Sequence, residues 1–144
     1  MVSLASNKFH YSNAGIKENG TFSVNIPSED MVKITDFVGL NSGQNLDKST
    51  LFEHFYGKLK TAPMIKECPL NLECELVTTV DLKGQNELFI GQIVGAYAEE
   101  KYLTNGIPDI TKIRPIIFSM HDNNYWRLGD HLGKAWNIGK GFVK

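Results

Sequence analysis

Two runs of alternating residues, Leu70 to Val80 and Leu88 to Tyr97, constrain the fold of this chain more than any other feature. In the first, Leu70, Leu72, Cys74, Leu76, Thr78 and Val80 fall on one side of a period-two pattern. Asn71, Glu73, Glu75 and Asp81 fall on the other, as in a strand with two unlike faces. Residues 81–86, with Gly84 among them, read as a turn between the runs. Strands joined so closely pair antiparallel. Gly91 and Gly95 let the second strand bend sharply or let another group come close, as barrel strands often require.

Around this pair, Val2 to Ala5 reads as a short strand, and Ser12 as the cap of a helix through Asn19 with Gly20 as its left-handed stop. Thr21 to Ile26 is a β-branched and aromatic run ended by Pro27, hence a strand. Ser28 reads as the cap of a second helix, with Glu29 and Asp30 at its positive end and Met31, Ile34 and Val38 on its buried face. Gly39 to Asp47 is a polar loop, and Lys48 to Tyr56 a short helix or irregular segment. A third strand is expected over Lys112 to Met120. The stretch Asn124 to Lys140 reads as a partly helical tail with Leu128, Leu132 and Trp136 on one side. Its glycines at 129, 133 and 139 leave it dependent on packing. The order describes an all-β barrel with helical insertions, or loosely an α+β domain.

A chain of 144 residues is expected to form one domain, residues 1–144, around one core. Its net charge of −1 offers no basic face for nucleic acid, so any anion site must be local. No apolar run approaches the roughly 18 residues that span a membrane, and no basic, then apolar, leader opens the sequence. Cys68 and Cys74 make no disulfide framework, and a cytoplasmic setting is expected. Cys74 lies on the apolar strand face and reads as structural. The four histidines, at 10, 54, 121 and 131, do not pair with the cysteines at zinc spacing.

The segment Asn7-Lys8-Phe9-His10-Tyr11-Ser12 carries the clearest chemistry. It leads a strand into a helix start, where unpaired backbone N–H groups and the positive end of the dipole already favour an anion. Lys8, His10 and Ser12 add two potential cations and a hydroxyl, a set suited to a phosphate. Without further context, Lys8 and His10 also read as ordinary surface residues of a loop. Ser42-Gly43 followed by Asp47-Lys48 reads equally as a turn and a helix cap.

Taken in order, these segments resemble the flavin reductase-like family, and within it the flavoredoxin-type branch. The resemblance rests on NKFHYSNAGIKEN from Asn7, FSVNIPS from Phe22, SGQNLDKS from Ser42, CPLNLEC from Cys68, LFIGQIV from Leu88 and YWRLGDHLGKAW from Tyr125. It implies a mainly β fold, an FMN-binding split barrel of antiparallel Greek-key strands, with non-covalent FMN and a homodimer with each flavin near the subunit boundary. By matched position, Asn7, Lys8, His10 and Ser12 would hold the phosphate. Asn25 would lie beside the isoalloxazine, and Ser42, Gly43 and Lys48 would close over the cofactor. Trp126 and Trp136 read as packing residues, with either able to rest against a flavin or a partner copy. Family members carry a further strand pair before the segment that begins here at Val2, so the chain reads as an N-terminally shortened domain. Asn86 stands where many relatives carry histidine.

The function so implied is an FMN-dependent oxidoreductase that passes on a hydride from NAD(P)H or electrons from a redox protein. No residue need act as a catalytic acid or base. The alternatives are a flavoredoxin-type electron carrier that does not use NAD(P)H, and a cofactor-free fragment or assembly module.

Overall fold

The computed structural model describes residues 1–81 and 83–142. In chain order the elements are β1 (Val2–Asn7), α1 (Ser12–Asn19), β2 (Thr21–Ile26), a 3-10 turn (Glu29–Met31) and α2 (Val32–Leu40). After a second 3-10 turn at Ser49–Leu51 come β3 (His54–Phe55), β4 (Met64–Ile65), β5 (Leu70–Asp81) and β6 (Asn86–Tyr97). A third 3-10 turn (Glu100–Tyr102), β7 (Leu103–Thr104), β8 (Ile107–Pro108), α3 (Ile110–Ile113), β9 (Ile116–Ser119) and β10 (Asn124–Arg127) complete the series.

β5 and β6 are the longest elements, 12 residues each, and they pair antiparallel. β1 pairs antiparallel with β6 and β2 with β5, which makes one curled four-stranded sheet in the order β1-β6-β5-β2. Leu82, in the expected turn between β5 and β6, lies outside the described residues. The two long strands and the turn between them are otherwise as expected.

The β5–β6 register slips twice, between Glu73 and Cys74 and between Leu76 and Thr78. Each slip bends the ribbon and raises its twist. It also breaks the simple two-face reading of β5. Asn71 and Glu73, on the nominally polar face, are 3% and 0% exposed. Glu73 is tolerated there because its carboxylate is fully used. Oε1 accepts from the Leu59 N–H at 2.7 Å, and Oε2 from the Lys58 N–H at 3.0 Å and the Tyr97 hydroxyl at 2.9 Å. Burying an ionisable group costs several kcal/mol unless it is so satisfied. Glu73 thus ties the irregular chain around residues 57–59 to the sheet.

Ile16 from α1, Phe22, Cys74 and Phe89 form the core, with Val2, Leu4, Val24, Leu72, Leu76 and Ile93 packed around them. α1 stops where expected, at Gly20 with φ +65°. Its start lies one residue earlier than the sequence suggests. Tyr11 holds the cap position without a side-chain bond, and Ser12 is already in the first turn.

Three expectations need correction. The third strand is only four residues, β9. Its expected beginning forms α3, because the Asp109 side chain accepts from the Thr111 N–H at 2.9 Å and starts a helical turn. The second helix begins as a 3-10 turn and buries no residue fully, leaving Phe37 and Leu40 exposed. The tail is not helical among the described residues: β10 pairs back on β9, and residues 128–142 run without helix or strand. Its glycines remove the local preference for helix, and no surface of the same chain replaces it. Trp126 and Trp136 are accordingly 56% and 95% exposed rather than packed.

Both cysteines are free and buried, and burial pushes the Cys68 thiol up to about 11 and the Cys74 thiol above its ordinary value. Each is therefore protonated and unreactive at neutral pH. Alkylation of the native protein at pH 8 is expected to run at least about a hundredfold slower than in urea, and to accelerate with pH up to about 11 at Cys68. Equal native and denatured rates would contradict the burial. A second prediction concerns Gly91, where a Cβ would meet Phe22 Cζ at 2.6 Å and Cys74 Cβ at 3.3 Å. Gly91→Ala should cost about 1–3 kcal/mol by overpacking in urea melts, and part of it should return in the Gly91→Ala, Phe22→Leu double variant.

Candidate functional site

A buried polar network fixes the turn between β1 and α1. Ser6 Oγ donates to Asn13 Oδ1 at 2.7 Å, and Asn13 Nδ2 donates to the Asn7 carbonyl at 2.9 Å and to Glu87 Oε1 at 3.0 Å. Glu87, 5% exposed, also pairs with Lys17 Nζ at 2.7 Å. Strand β1, helix α1 and strand β6 are thereby locked together at the helix start. Asn7 adds its own brace, its Oδ1 accepting from the Phe9 N–H at 3.0 Å.

Beside this turn lies a cleft of about 870 Å³. α1 contributes Ser12, Gly15 and Asn19, β2 contributes Thr21, Ser23 and Asn25, and the loop after α2 contributes Gly43, Leu46 and Lys48. Leu4, Ile16 and Phe22 give it an apolar wall. The loop reaches the helix start because Gly43 has no side chain. A Cβ there would come within 3.0 Å of the Tyr11 ring. Clefts of this size, with an apolar wall and a few placed donors, suit small-molecule cofactors.

Of the residues singled out from sequence, Ser12, Asn25, Gly43 and Lys48 line the cleft. Asn25 is held by both ends of its amide, with Nδ2 donating to Ser23 Oγ at 3.0 Å and Oδ1 accepting from the Ile65 N–H at 3.0 Å. Lys48 Nζ donates to the Val38 and Asn41 carbonyls at 2.8 and 2.6 Å. It thereby satisfies the carboxyl end of α2, where a cation is favoured. Among the described residues, two of its three donors are committed and one is not.

The other four stand on the flanking turns. Lys8 Nζ pairs with Asp81 at 2.7 Å, and that contact is the first cause holding the Asp81 carboxyl below its ordinary range. The His10 ring Nδ1 lies 3.2 Å from Ser6 Oγ. Ser42 Oγ accepts from the Gln44 N–H at 3.2 Å, closing a local turn. Sequence reasoning missed Tyr11, Asn19, Thr21, Ser23 and Thr61 in the cleft lining. The alternation of β2 carried a signal for two of them, since Thr21 and Ser23 share a face with Asn25.

Residues 1–118 match the family model described as "Flavin reductase like domain". A flavoredoxin from Methanosarcina acetivorans is 55% identical, with a TM-score of 0.93 over 96% of this chain and 74% of that one. The flavoredoxin of Desulfovibrio vulgaris (Miyazaki F) is 34% identical, with a TM-score of 0.86 over 96% of this chain and 76% of that one. A protein of Archaeoglobus fulgidus is 33% identical over 115 residues, which are 76% of this chain and 62% of its own length. The chain therefore spans less than two thirds of that relative. No helix among the described residues is long and apolar enough to cross a membrane. With its curled antiparallel sheet, its strand-to-helix turn and the cleft beside it, the chain belongs to the flavin reductase-like family, in its flavoredoxin-type branch.

Proposed function

We propose that this protein binds FMN in the cleft beside α1 and works as a flavin-dependent oxidoreductase, as a homodimer. The observation that carries the reading is the convergence of Ser12, Asn25, Gly43 and Lys48, from three separate segments, on one cleft of about 870 Å³. The lining fits such a ligand. Hydroxyl and amide groups at Ser12, Thr21, Ser23 and Asn25 suit the ribityl chain, and Leu4, Ile16 and Phe22 suit a flat apolar ring. The phosphate belongs at the start of α1, where the helix dipole, the Ser12 hydroxyl and the uncommitted donor of Lys48 favour an anion.

Bound flavin supplies the hydride or electron transfer itself. The chain's own part is to bind, orient and shield. Asn25, fixed by Ser23 and Ile65, presents a rigid amide to the cleft. The loop of Ser42, Gly43 and Lys48, anchored on α2 through two carbonyls, covers one side. Asn7 shapes the turn, and Lys8 and His10 lie outside the cleft lining. Because Lys8 is paired with Asp81, its charge is largely spent.

A second reading, that of an electron carrier fed by a redox protein rather than by NAD(P)H, is favoured by the two flavoredoxin similarities. Anaerobic mixing of the FMN-loaded protein with NADH separates the two. Prompt bleaching supports a reductase, and bleaching only by a protein donor supports a carrier.

FMN titration followed by fluorescence quenching tests the site. Lys48→Ala should weaken binding about tenfold or more, as loss of a charge-assisted bond does. Ser12→Ala should weaken it about fivefold, and Lys8→Ala less than either. A larger loss for Lys8→Ala than for Lys48→Ala would move the phosphate to the outer side of the turn.

A further inference from the structure

A second cleft, of about 370 Å³, opens at the far end of the β5–β6 ribbon. Phe55 and Tyr97 form its aromatic walls, edge to face at 5.8 Å. Asn71, 3% exposed, also lines it. The Asn71 amide gives its Nδ2 to the Cys68 carbonyl at 3.1 Å, but its Oδ1 is buried with no hydrogen-bond partner among the described residues. A buried acceptor left unpaired is costly and calls for a donor. The walls call for a flat apolar body to carry that donor.

Such a group stands exposed on the same chain. Trp136 is 95% exposed, and its indole N–H has no partner among the described residues. It sits at φ +57°, a conformation that L residues adopt reluctantly. Among the described residues, the arm that bears it, from Leu128 to Phe142, makes hydrogen bonds only within itself, such as Ile138 N–H to the Lys134 carbonyl at 3.0 Å. Leu132, Ile138 and Phe142 of this arm are likewise exposed. The cleft lining carries one cation, Lys66, and one acid, Glu99, while the arm is basic. Residues 127–144 hold Arg127, Lys134, Lys140 and Lys144 against one acid, Asp130, in a chain of net charge −1, so the rest of the molecule is acidic.

We infer that Trp136 of one copy seats in the Phe55–Tyr97 cleft of a second copy, its indole N–H donating to Asn71 Oδ1. Tryptophan is suited to this because it joins a large apolar surface to a single donor, and it recurs as the dominant contact of interfaces. The exchange is reciprocal: each copy offers one arm and one cleft, and a two-fold axis satisfies both. The inference rests on the proposed homodimer and names the contact that holds it. It does not depend on flavin.

The test uses the full chain with Trp126→Phe, so that Trp136 is the sole indole. Emission and sedimentation are followed together on dilution. Blue-shifted emission in the dimer that moves to that of a water-exposed indole on dissociation is expected. Trp136→Ala should raise the dimer Kd at least about thirtyfold. Asn71→Leu should weaken the dimer of the Trp136-bearing protein and add nothing in Trp136→Phe, which lacks the N–H. Trp136→Ala and Trp136→Phe alter only the exposed arm, so neither endangers folding. Emission that stays red in the dimer overturns the contact, as does a dimer unchanged by Trp136→Ala, which would leave the homodimer standing. A blue emission independent of concentration would put the arm on its own body. A monomer at all concentrations would remove both the contact and the dimer.

Discussion

The bent pairing of β5 with β6 is the constraint on which the rest of this molecule depends. β1 and β2 attach to its two outer edges, so the curvature of this one ribbon places the other two strands of the main sheet. Its two register slips and the bare backbone of Gly91 beneath Phe22 create that curvature. One end of the ribbon reaches the β1–α1 turn through Glu87 and Asn13. The other reaches the irregular chain around residues 57–59 through Glu73 and Tyr97. Two buried carboxylates on adjacent strands thus hold the two regions where clefts form.

Both carboxylates spend their charge on structure, and the same holds for most of the cations near the main cleft. Lys17 serves Glu87, Lys8 serves Asp81, and Lys48 gives two donors to the end of α2. An anion arriving at this site therefore meets helix dipole, hydroxyls and a single uncommitted ammonium donor rather than a basic patch. That agrees with a chain whose net charge is −1.

Much of this was legible in the sequence because local preference and tertiary packing agree. Thr21 to Ile26 is β-branched and aromatic, and it is a strand; Gly20 ends α1 in the left-handed region as its position suggests. Ser12, Asn25, Gly43 and Lys48 could be carried over from ordered motifs and do meet in one cleft. What was not legible depends on contacts distant in sequence. Glu73 looks solvent-facing by alternation, and its burial is explained by the N–H groups of Lys58 and Leu59 and the Tyr97 hydroxyl, 14 to 24 residues away. The partner of Lys8 lies 73 residues away. The tail carries apolar residues at helical spacing, but with three glycines its described residues form turns rather than a helix. Spacing alone cannot supply what a helix packs against.

The most direct measurement of the central claim is a crystal structure of the protein grown with FMN. Flavin is expected in the cleft beside α1, with its phosphate at the start of that helix and within hydrogen-bonding reach of Ser12 and Lys48. Flavin bound elsewhere, the Phe55–Tyr97 cleft included, or no flavin at saturating concentration would contradict it.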